Sequence, residues 1–542
     1  MSTTSSIHSN RATKADWQAL ADGTLAKLEN KYFVYRHLPA GDTEITTDFQ
    51  AEAATAELAA VLPAMPISGL GSETFQIDHK VKCSYMAGAM AHGIASEEMV
   101  IALGKSGLLS SFGSGGLSLP RVEQAIKTIQ AALPNGPYAF NFLSNPYSAD
   151  YENGLVNLFL QYSINTVEAS AFIEPSAALI NYRIQGLSLA DNGQIQTNNK
   201  IIAKVSRQEV ALKFLMPPSQ KMIELLLSSN TITPQQAQWA SQVPLADDIT
   251  VEADSGGHTD NRPLISVLPA MIAIRNRVCD QQGYNTPVRI GAAGGIGTSE
   301  SVLAAFTMGA DYVVTGSINQ GCIEAGTSDS VKKLLAKAKM ADVTMAPAAD
   351  MFEEGVKVQV LRSGTMFPML SQKLYDTYRK YPSLDAIPEA ELAKLEKSAF
   401  KKPVAQVWQE TAEFFRQRDP KMLTKAEQDP KKKMSLVFRW YLGKSASWAV
   451  EGDPAQMINA QIWCGQVMGA FNEWVKGTPM EHPGNRKVAE VAELLMVGAA
   501  LLSRIQLLRA VKVDCPLSVA SPQHLLKEQG DRVDRAVASY ST

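Results

Sequence analysis

Between residues 80 and 315, short runs of apolar residues alternate with stretches in which apolar residues recur every three to four positions. The first pattern predicts buried strands of a parallel sheet, and the second predicts the helices that connect them. The predicted strands are 80–87, 108–112, 138–143, 166–172, 200–206, 248–253, 288–290 and 312–314. Eight such strands separated by helices are typical of a (β/α)8 TIM barrel, an α/β fold.

The segments on either side of this pattern differ from it in character. Residues 1–75 combine a polar start with an alanine-rich stretch, 51–62, that predicts a helix, and we treat them as an N-terminal extension. The barrel is expected to occupy residues 76–330. Residues 331–542 are expected to form a connecting segment and a helical C-terminal domain that covers the barrel as a lid, with no strand after residue 370.

Two features of the pattern allow more than one interpretation. The long connection between the fifth and sixth strands contains a helical stretch, 233–243, which is either a lid or an extended barrel helix. Five tryptophans lie in the C-terminal region, where they either pack a helical core or form an apolar wall over the barrel, suited to an acyl chain. They are Trp408, Trp440, Trp448, Trp463 and Trp474.

Composition narrows the class of protein. The chain has 542 residues, a net charge of −3 and 45% hydrophobic residues, which favours a globular protein that binds neither nucleic acid nor anionic membrane. The polar start lacks the apolar segment of a signal peptide, and the apolar stretch 491–502 is too short to cross a bilayer. Five scattered cysteines predict neither a metal site nor a disulfide framework: Cys83, Cys279, Cys322, Cys464 and Cys515. Together these features predict a cytoplasmic protein.

Glycine turns follow the last two predicted strands. Gly294 and Gly295 follow the seventh strand, and Gly316 and Ser317 follow the eighth. Glycine lets backbone N–H groups approach an anion closely, and these two loops commonly form the phosphate site of a barrel. A single turn of this kind is more often a packing device, but two in succession predict a phosphate cradle. The glycine spacing does not match the G-x-G-x-x-G fingerprint of a Rossmann domain, whose motif also opens its domain rather than closing it.

The loop after the sixth strand contains a candidate catalytic residue. His258 follows Gly256 and Gly257 at the carboxyl end of the strand, where barrel enzymes have their active sites. An imidazole can donate a proton or polarise a carbonyl near neutral pH. Asp254 and Asp260 flank it and either orient it or cap the following helix.

Other strand ends contain further polar candidates. Lys204 ends the fifth strand, where it is costly to bury without an anionic partner, and Asn141 offers a donor and an acceptor near the end of the third. Glu168, in the fourth strand, is a possible partner of Lys204. The small residues of 86–93 form a surface against which a flat ring could lie. Cys322 has no histidine or lysine near it in sequence and is interpreted as a small apolar residue rather than a nucleophile.

Long motifs give a specific resemblance. Residues 80–326, with a GGH segment after strand six and glycine turns after strands seven and eight, are similar to the FMN-dependent barrel flavoproteins that include nitronate monooxygenases and FMN-type enoyl-acyl-carrier-protein reductases. The chain beyond about residue 60 resembles the PfaD family in particular. The motifs include KCSYMAGAMAHGIASEEMV, ADDITVEADSGGHTDNRPL, MAPAADMFEEGVKVQVL and FRWYLGKSASWAVEGDP. Members are trans-acting enoyl reductases of polyunsaturated fatty acid synthases, with relatives that serve polyketide synthases.

The resemblance implies a cofactor, a reaction and a catalytic residue. It implies that FMN is bound through its phosphate by the two glycine turns and through its ring near the first strand, with His258 as the catalytic residue. The implied cofactor-binding residues are Met86, Ala87, Gly88, Asn141, Lys204, Gly257, Gly294, Gly295, Gly316 and Ser317. NADPH is expected to reduce FMN, from which hydride passes to a 2-enoyl thioester.

The resemblance also implies partners. The substrate is expected on acyl carrier protein domains of a fatty acid or polyketide synthase, and a homodimer is expected. A basic run, 431–433, is either a solvated loop or a docking surface for an acidic carrier protein. Gly465-Gln466 departs from the family, in which Gly-Pro is usual at this position.

Three alternative functions remain open at this stage. A nitronate monooxygenase-like flavin oxidase would use the same barrel and cofactor but react with oxygen. An enzyme similar to IMP dehydrogenase would need a cysteine in the loop after the sixth strand, and this loop contains none. The third alternative is a non-catalytic docking subunit of a synthase.

Overall fold

A closed barrel of eight parallel strands forms the centre of the molecule and confirms the predicted fold class. The structure is a computed structural model that describes residues 4–7, 24–38, 42–49, 56–145 and 148–526. In chain order, the first to eighth barrel strands are Tyr85–Ala87, Leu109–Phe112, Ala139–Leu143, Thr166–Ser170, Lys200–Val205, Asp248–Glu252, Arg289–Ala293 and Tyr312–Thr315. Consecutive strands are neighbours and the eighth pairs with the first, so all eight carboxyl ends meet at one mouth.

Helices surround this barrel. The helix that precedes the first strand is Glu73–His79, and those that follow it up to the eighth strand's turn are Glu97–Lys105, Leu119–Ala132, Ala149–Gln161, Ala177–Gln185, Gln208–Leu215, Gln220–Ser228, Pro234–Ala240, Leu264–Gln282, Ser299–Thr307, Ser317–Gln320 and Asp329–Leu335. Their starts follow the sequence signals: Ser96 accepts a hydrogen bond from Met99 N at 3.1 Å, and Pro120 lies in a first turn.

The helix in the long fifth connection is not a lid. Pro234–Ala240 packs against the helices Ala177–Gln185 and Gln220–Ser228 and against a hairpin of Leu187–Leu189 and Ile195–Thr197. This hairpin lies between a barrel helix and the start of the fifth strand, and therefore at the amino end of the barrel. The interpretation of 233–243 as an extended barrel helix is confirmed.

The N-terminal extension forms a sheet, so the helix predicted for 51–62 is wrong over its described part; residues 51–55 lie outside the described residues. Ala56–Leu62 is a strand that pairs antiparallel with Tyr32–His37. The four strands lie in the order Thr4–Ile7, Asp42–Thr46, Tyr32–His37, Ala56–Leu62. Tyr32 and Val34 are fully buried, and pairing with their strand outweighs the helix preference of alanine, which is below about 1 kcal/mol per residue.

An ionic network closes the amino end of the barrel. The Asp248 carboxylate accepts from Arg289 Nε at 2.5 Å and Nη2 at 3.0 Å, and from His79 Nε2 at 2.9 Å. Burial alone would raise the pKa of Asp248, but the charges of Arg289 and His79 hold it well below its ordinary value. Next to this network, Phe75 stacks on Tyr312 with 4.4 Å between ring centroids. These two rings fill the barrel interior at its amino end.

The C-terminal region divides between two cores. Its helices are Phe367–Lys380, Glu389–Leu395, Val404–Arg418, Pro420–Gln428, Pro430–Glu451, Val467–Trp474 and Val488–Ala510, with a π-helical turn at Glu396–Phe400. Residues such as Phe352, Phe400 and Phe438 form one core with the helices up to residue 451. The chain from residue 460 onward packs instead into the core of the barrel and the N-terminal sheet.

A small sheet joins this region to the barrel, and the sequence patterns did not predict it. The strands Val343–Pro347 and Lys357–Leu361 pair with each other, and the second also pairs with the two-residue strand Gly257–His258. The loop that carries the candidate catalytic histidine is therefore an edge strand of this sheet.

One helix among the described residues, Val488–Ala510, is long and apolar enough to cross a membrane. The prediction that the apolar stretch here is too short to do so is therefore wrong, because the helix extends beyond 491–502 at both ends. However, 72% of its apolar window is buried inside the protein. It packs against the barrel helix Ser299–Thr307, and Gly498 allows the close approach, since a Cβ there would lie 2.1 Å from Ser299 Oγ. Core packing accounts for its composition.

The basic run 431–433 is not a solvated loop. It is the first turn of the helix Pro430–Glu451, and its lysines bind groups of the protein. Lys431 donates to the carbonyl of Tyr381 at 2.6 Å, Lys432 pairs with Glu353 at 2.6 Å, and Lys433 lies 4.9 Å from the ring centroid of Trp408. A docking surface that relies on these three charges is not supported.

We expect Asp248→Asn to lower the free energy of unfolding by about 1–3 kcal/mol, because buried Arg289 and His79 lose a charged acceptor. Arg289 keeps its second carboxylate partner, Asp78, at 2.6 Å. The matched control is Glu473→Gln, which removes an exposed carboxylate paired with Lys476 at 3.3 Å and should change stability by less than about 0.5 kcal/mol. Guanidinium unfolding of both variants checks the prediction. If Asp248→Asn unfolded at the same guanidinium concentration as Glu473→Gln, the amino-end network would contribute nothing to stability.

Candidate active site at the barrel mouth

The turns after the seventh and eighth strands leave room for an anion. Gly294 and Gly295 have φ of +84° and +78°, and a Cβ on Gly294 would lie 2.7 Å from the carbonyl carbon of Ala253. A Cβ on Gly295 or on Gly316 would meet no atom within 4 Å. In the part of the chain that the structure describes, the backbone N–H groups of Gly295 and Gly316 have no protein acceptor. Open space beside two unpaired donors fits a phosphate group.

The helix after the seventh strand begins at a well-formed N-cap. Thr298 caps Ser299–Thr307 through a reciprocal pair of hydrogen bonds with Ser301. Ser301 Oγ additionally accepts from Gly297 N at 3.0 Å, so the end of the turn is fixed by the helix that follows it.

A C-terminal segment, residues 464–467, closes over the turns after the sixth and eighth strands. Gly465 N donates to Ser317 Oγ at 3.0 Å, and Gln466 Nε2 donates to Asp254 Oδ2 at 3.1 Å. A Cβ on Gly256 would lie 2.9 Å from Cys464 N, so the two backbones pack directly against each other. The departure from Gly-Pro thus has a structural consequence, because proline has no side-chain amide to reach Asp254.

The mouth contains a polar cluster formed by Glu168, Lys204, Glu252 and Ser255. Glu168 is fully buried, whereas Lys204 and Glu252 are half-buried. Lys204 Nζ lies 3.1 Å from Glu252 Oε1, which also accepts from Ser255 Oγ at 3.1 Å. Burial alone would lower the pKa of Lys204, but the carboxylates of Glu252 and Glu168 raise it above its ordinary value. The direct partner of Lys204 is therefore Glu252, which the sequence patterns did not identify, rather than Glu168.

Glu168 has an oxygen available for a ligand. Its Oε2 accepts from Ala89 N at 2.8 Å, whereas its buried Oε1 has no partner among the described residues. Burial raises the pKa of Glu168, and the charge of Lys204 opposes this shift. Oε1 would lie 3.5 Å from a Cβ on Gly88, next to the small residues that follow the first strand. An unpaired buried acceptor beside a small-residue surface fits a polar edge of a planar ring.

The other residues implied as ring contacts differ in what they expose. Met86 and Ala87 are fully buried, so the structure exposes no part of either residue at the mouth. Asn141 is also buried and donates through Nδ2 to Glu168 O at 3.0 Å and to Ser170 Oγ at 2.8 Å. Its Oδ1 is left as an acceptor.

His258 is held by a residue that the sequence patterns missed. Its Nε2 lies 3.0 Å from Oδ2 of Asp350, and since a carboxylate only accepts, this nitrogen donates. Asp260 instead bonds Ser206 Oγ at 2.7 Å and Arg207 Nε at 3.0 Å, so it does not orient His258. Asp254 does not orient it either, because its Oδ1 accepts from Gln359 Nε2 at 2.8 Å and its Oδ2 from Gln466. Neither aspartate caps the helix Leu264–Gln282, whose N-cap is Pro263.

One tryptophan of the five forms part of the mouth. Trp463 stacks on His92 with ring centroids 5.6 Å apart, and a Cβ on Gly257 would lie 3.9 Å from its Cδ1. Trp463 also packs against the helical core, so core packing applies to it as well, and its role as an apolar wall for an acyl chain stays a prediction. Trp408, Trp440 and Trp448 pack in the helical core, and Trp474 packs against the barrel core.

Comparison with known proteins adds family information to this geometry. The model of the nitronate monooxygenase family matches residues 74–377, and the model of the helical domain inserted in [acyl-carrier-protein] S-malonyltransferase matches residues 381–459. The enoyl reductase domain of MlnA from Bacillus amyloliquefaciens is 41% identical, with a TM-score of 0.78 over 81% of this chain and 100% of that one.

Two curated relatives are much longer than this chain. One of the polyunsaturated fatty acid synthase polypeptides of Thraustochytrium sp. is 44% identical over 492 residues, which cover 90% of this chain and 32% of the relative. Polyketide biosynthesis protein PksE of Bacillus subtilis is 41% identical over 481 residues, covering 89% of this chain and 62% of the relative. The chain thus spans about a third of the first relative and under two thirds of the second.

We expect native protein to resist thiol alkylation, because all five cysteines are buried. Burial raises the pKa of Cys83, Cys464 and Cys515 to about 12, which lowers the thiolate fraction at pH 8 roughly a thousandfold. Burial raises the pKa of Cys322 as well. Mass spectrometry after iodoacetamide treatment should show no adduct in the native protein and five adducts in guanidinium. Rapid native labelling of Cys322 would restore it as a candidate nucleophile.

Proposed function

Because the chain belongs to the nitronate monooxygenase family, and within it to the PfaD enoyl reductases of polyunsaturated fatty acid and polyketide synthases, we propose that it reduces 2-enoyl thioesters. The electrons come from NADPH through FMN, and the substrate is carried by acyl carrier protein. The coarser assignment to an oxidoreductase of the enoyl reductase type follows from the family; the cofactors, the carrier and the substrate are the proposal.

One observation carries the proposal. The same barrel mouth combines two unpaired N–H donors, at Gly295 and Gly316, with an imidazole bound to a carboxylate, at His258. The donors can hold a phosphate-bearing cofactor, and the imidazole can transfer a proton. Reduction of a conjugated double bond requires both, since a hydride and a proton are added to neighbouring carbons.

The residues present fit FMN. Gly294, Gly295, Gly316 and Ser317 would hold its phosphate, and Glu168, Asn141 and Lys204 offer polar groups beside the surface that follows the first strand. FMN held there would supply the hydride that adds to the β-carbon of the enoyl thioester, with NADPH as the reductant.

The protein's own groups would complete the reaction. His258 donates its proton to the α-carbon or stabilises the negative charge that develops on the thioester oxygen. Trp463 and His92, which stack on each other beside Gly257, would border the substrate on one side of the mouth.

The proposed partners follow from the chemistry of the relatives. Two of them are a fatty acid synthase polypeptide and a polyketide biosynthesis protein, and residues 381–459 are similar to a domain of a transferase that acts on acyl carrier protein. These similarities favour a substrate whose acyl group is attached to a carrier protein. We further propose that the protein is a homodimer and acts in a reducing compartment such as the cytoplasm. Light scattering tests the dimer, since it should give twice the mass of one chain.

An anaerobic assay tests the proposed reaction. Purified protein should show flavin absorbance, which NADPH bleaches without air and crotonyl-carrier protein then restores. NADPH oxidation that needs oxygen and a nitroalkane instead of the thioester would replace this proposal with a nitronate monooxygenase. Colourless protein that binds no added FMN would favour a docking subunit.

His258→Ala should retain FMN but lose two to three orders of magnitude in turnover. The reason is that removal of one donor to the developing charge costs about 2.7–4 kcal/mol of barrier. His37→Ala, which removes a histidine paired with Glu44 at 2.9 Å in the N-terminal sheet, is the matched control and should keep full activity. Stopped-flow measurement of flavin reoxidation by the thioester reports the step. Near-normal reoxidation in His258→Ala would exclude the histidine from catalysis.

Gly316→Ala should weaken FMN binding at least tenfold, or about 1.4 kcal/mol, because the methyl group enters the space that we assign to the phosphate. The fold should persist, since no atom lies within 4 Å of the added Cβ. Gly443→Ala is the matched control, because its Cβ also meets nothing within 4 Å but lies in a C-terminal helix. Quenching of FMN fluorescence measures both affinities. Unchanged affinity in Gly316→Ala would place the phosphate elsewhere.

A further inference from the structure

The candidate histidine is attached to the C-terminal region by its backbone as well as by its side chain. Gly257 and His258 pair antiparallel with Gln359 and Val358 of the strand Lys357–Leu361. Asp350 lies in the connection that leads into this strand, and its Oδ2 is 3.0 Å from His258 Nε2. The same short sheet therefore fixes both members of the pair.

Few other charges act on this imidazole. Glu252 and Lys204 are the next charged groups to influence it, and they pair with each other at 3.1 Å, so their effects on His258 oppose one another. Asp254 and Asp260 bind other partners. Within the described residues, His258 Nδ1 has no hydrogen-bond partner, whereas Nε2 is bound to Asp350.

We propose that Asp350 is the positioning residue of the active site: its carboxylate fixes His258 through Nε2 and leaves Nδ1 as the nitrogen that serves the substrate. This inference rests on the proposed function and adds to it a residue from outside the barrel. Asp350 itself touches no reacting atom.

The proton balance of the step is simple. As hydride adds to the β-carbon, the electron pair of the double bond moves to the α-carbon and the thioester oxygen. The Nδ1–H bond of the imidazolium breaks and a C–H bond forms at the α-carbon. The imidazole becomes neutral, and its Nε2–H remains hydrogen-bonded to the Asp350 carboxylate. The side chain of His258 is 43% exposed, and solvent can return the lost proton.

The charge of Asp350 also affects the protonation of His258, the proposed proton donor. Burial alone would lower the pKa of His258, but the hydrogen bond and the charge of Asp350 raise it above its ordinary value. For the partner, burial would raise the pKa of Asp350, yet His258 holds it below its ordinary value. A raised pKa keeps His258 protonated to higher pH. Removing the charge of Asp350 must therefore lower activity on the basic side of the pH profile.

The first test is the pH dependence of thioester reduction in holoenzyme with Asp350→Asn. Asparagine keeps an acceptor oxygen but removes the charge. We expect the basic limb of the kcat profile to move down by about one pH unit and the rate at pH 8 to fall about tenfold, with KM and FMN content unchanged. Asp350→Glu should restore most of the shift. The matched control is Asp260→Asn, which neutralises an acid in the same loop that does not contact His258.

The second test needs no activity. Diethylpyrocarbonate modifies neutral imidazole only, so the pH dependence of adduct formation on the His258 peptide, read by mass spectrometry, gives the titration of this residue directly. Asp350→Asn should shift that midpoint to lower pH by about one unit, and Asp260→Asn should not.

The two tests separate the possible failures. If wild-type protein reduces no enoyl thioester but the modification midpoint shifts in Asp350→Asn, the proposed function fails and the pairing stands. An unmoved midpoint, or a rate loss of equal size at every pH, would show that Asp350 has only a structural effect and would overturn the inference.

Discussion

The structure depends on a direct backbone contact between the barrel mouth and the C-terminal segment 464–467. Gly256 and Gly465 make this contact possible: an added Cβ would lie 2.9 Å from Cys464 N in the first case and 3.1 Å from Gly256 N in the second. A side chain at either position would separate the surfaces and weaken the hydrogen bond from Gly465 N to Ser317 Oγ. The geometry of the turns after strands six and eight is therefore set jointly by the barrel and by a segment almost 150 residues downstream of Ser317.

Hydrogen bonds complete what the glycines allow. Asp254 Oδ1 accepts from Gln359 Nε2 at 2.8 Å, and Oδ2 accepts from Gln466 Nε2 at 3.1 Å. One carboxylate thus ties the sixth loop to both the small sheet and the closing segment. Hydrogen bonds to a charged acceptor are about twice as strong as neutral ones. Asp254, which the sequence patterns treated as a possible partner of His258, acts instead as the connection that holds the loop in place.

The residue pattern predicted the parts of the fold that depend on local periodicity. Each barrel strand is buried on both faces and forms a short apolar run, and the mouth is marked by the glycines that follow strands seven and eight. Two errors came from reading a segment without its neighbours. The alanine-rich segment 56–62 forms a strand because it pairs with the strand Tyr32–His37. The lysines of 431–433 are not solvated because they bind a carbonyl, a carboxylate and an aromatic ring from residues distant in sequence. Asp350 lies 92 residues from His258, and no spacing rule connects them.

These contacts change what the C-terminal region does. A lid would only cover a site that the barrel had already built. Here the barrel provides the glycine turns after strands seven and eight and the half-buried Lys204–Glu252 pair, and segment 464–467 bonds the second of these turns. Two of the three strands of the sheet that contains His258, and the carboxylate that binds its ring, belong to the chain after residue 340. Since the direction of an imidazole is set by the group that binds its other nitrogen, the candidate acid acquires a defined orientation only when this region is folded. The candidate site therefore extends beyond the barrel: His258 lies in a barrel loop, but the strand that pairs with its backbone and the carboxylate that binds its ring come from the C-terminal region.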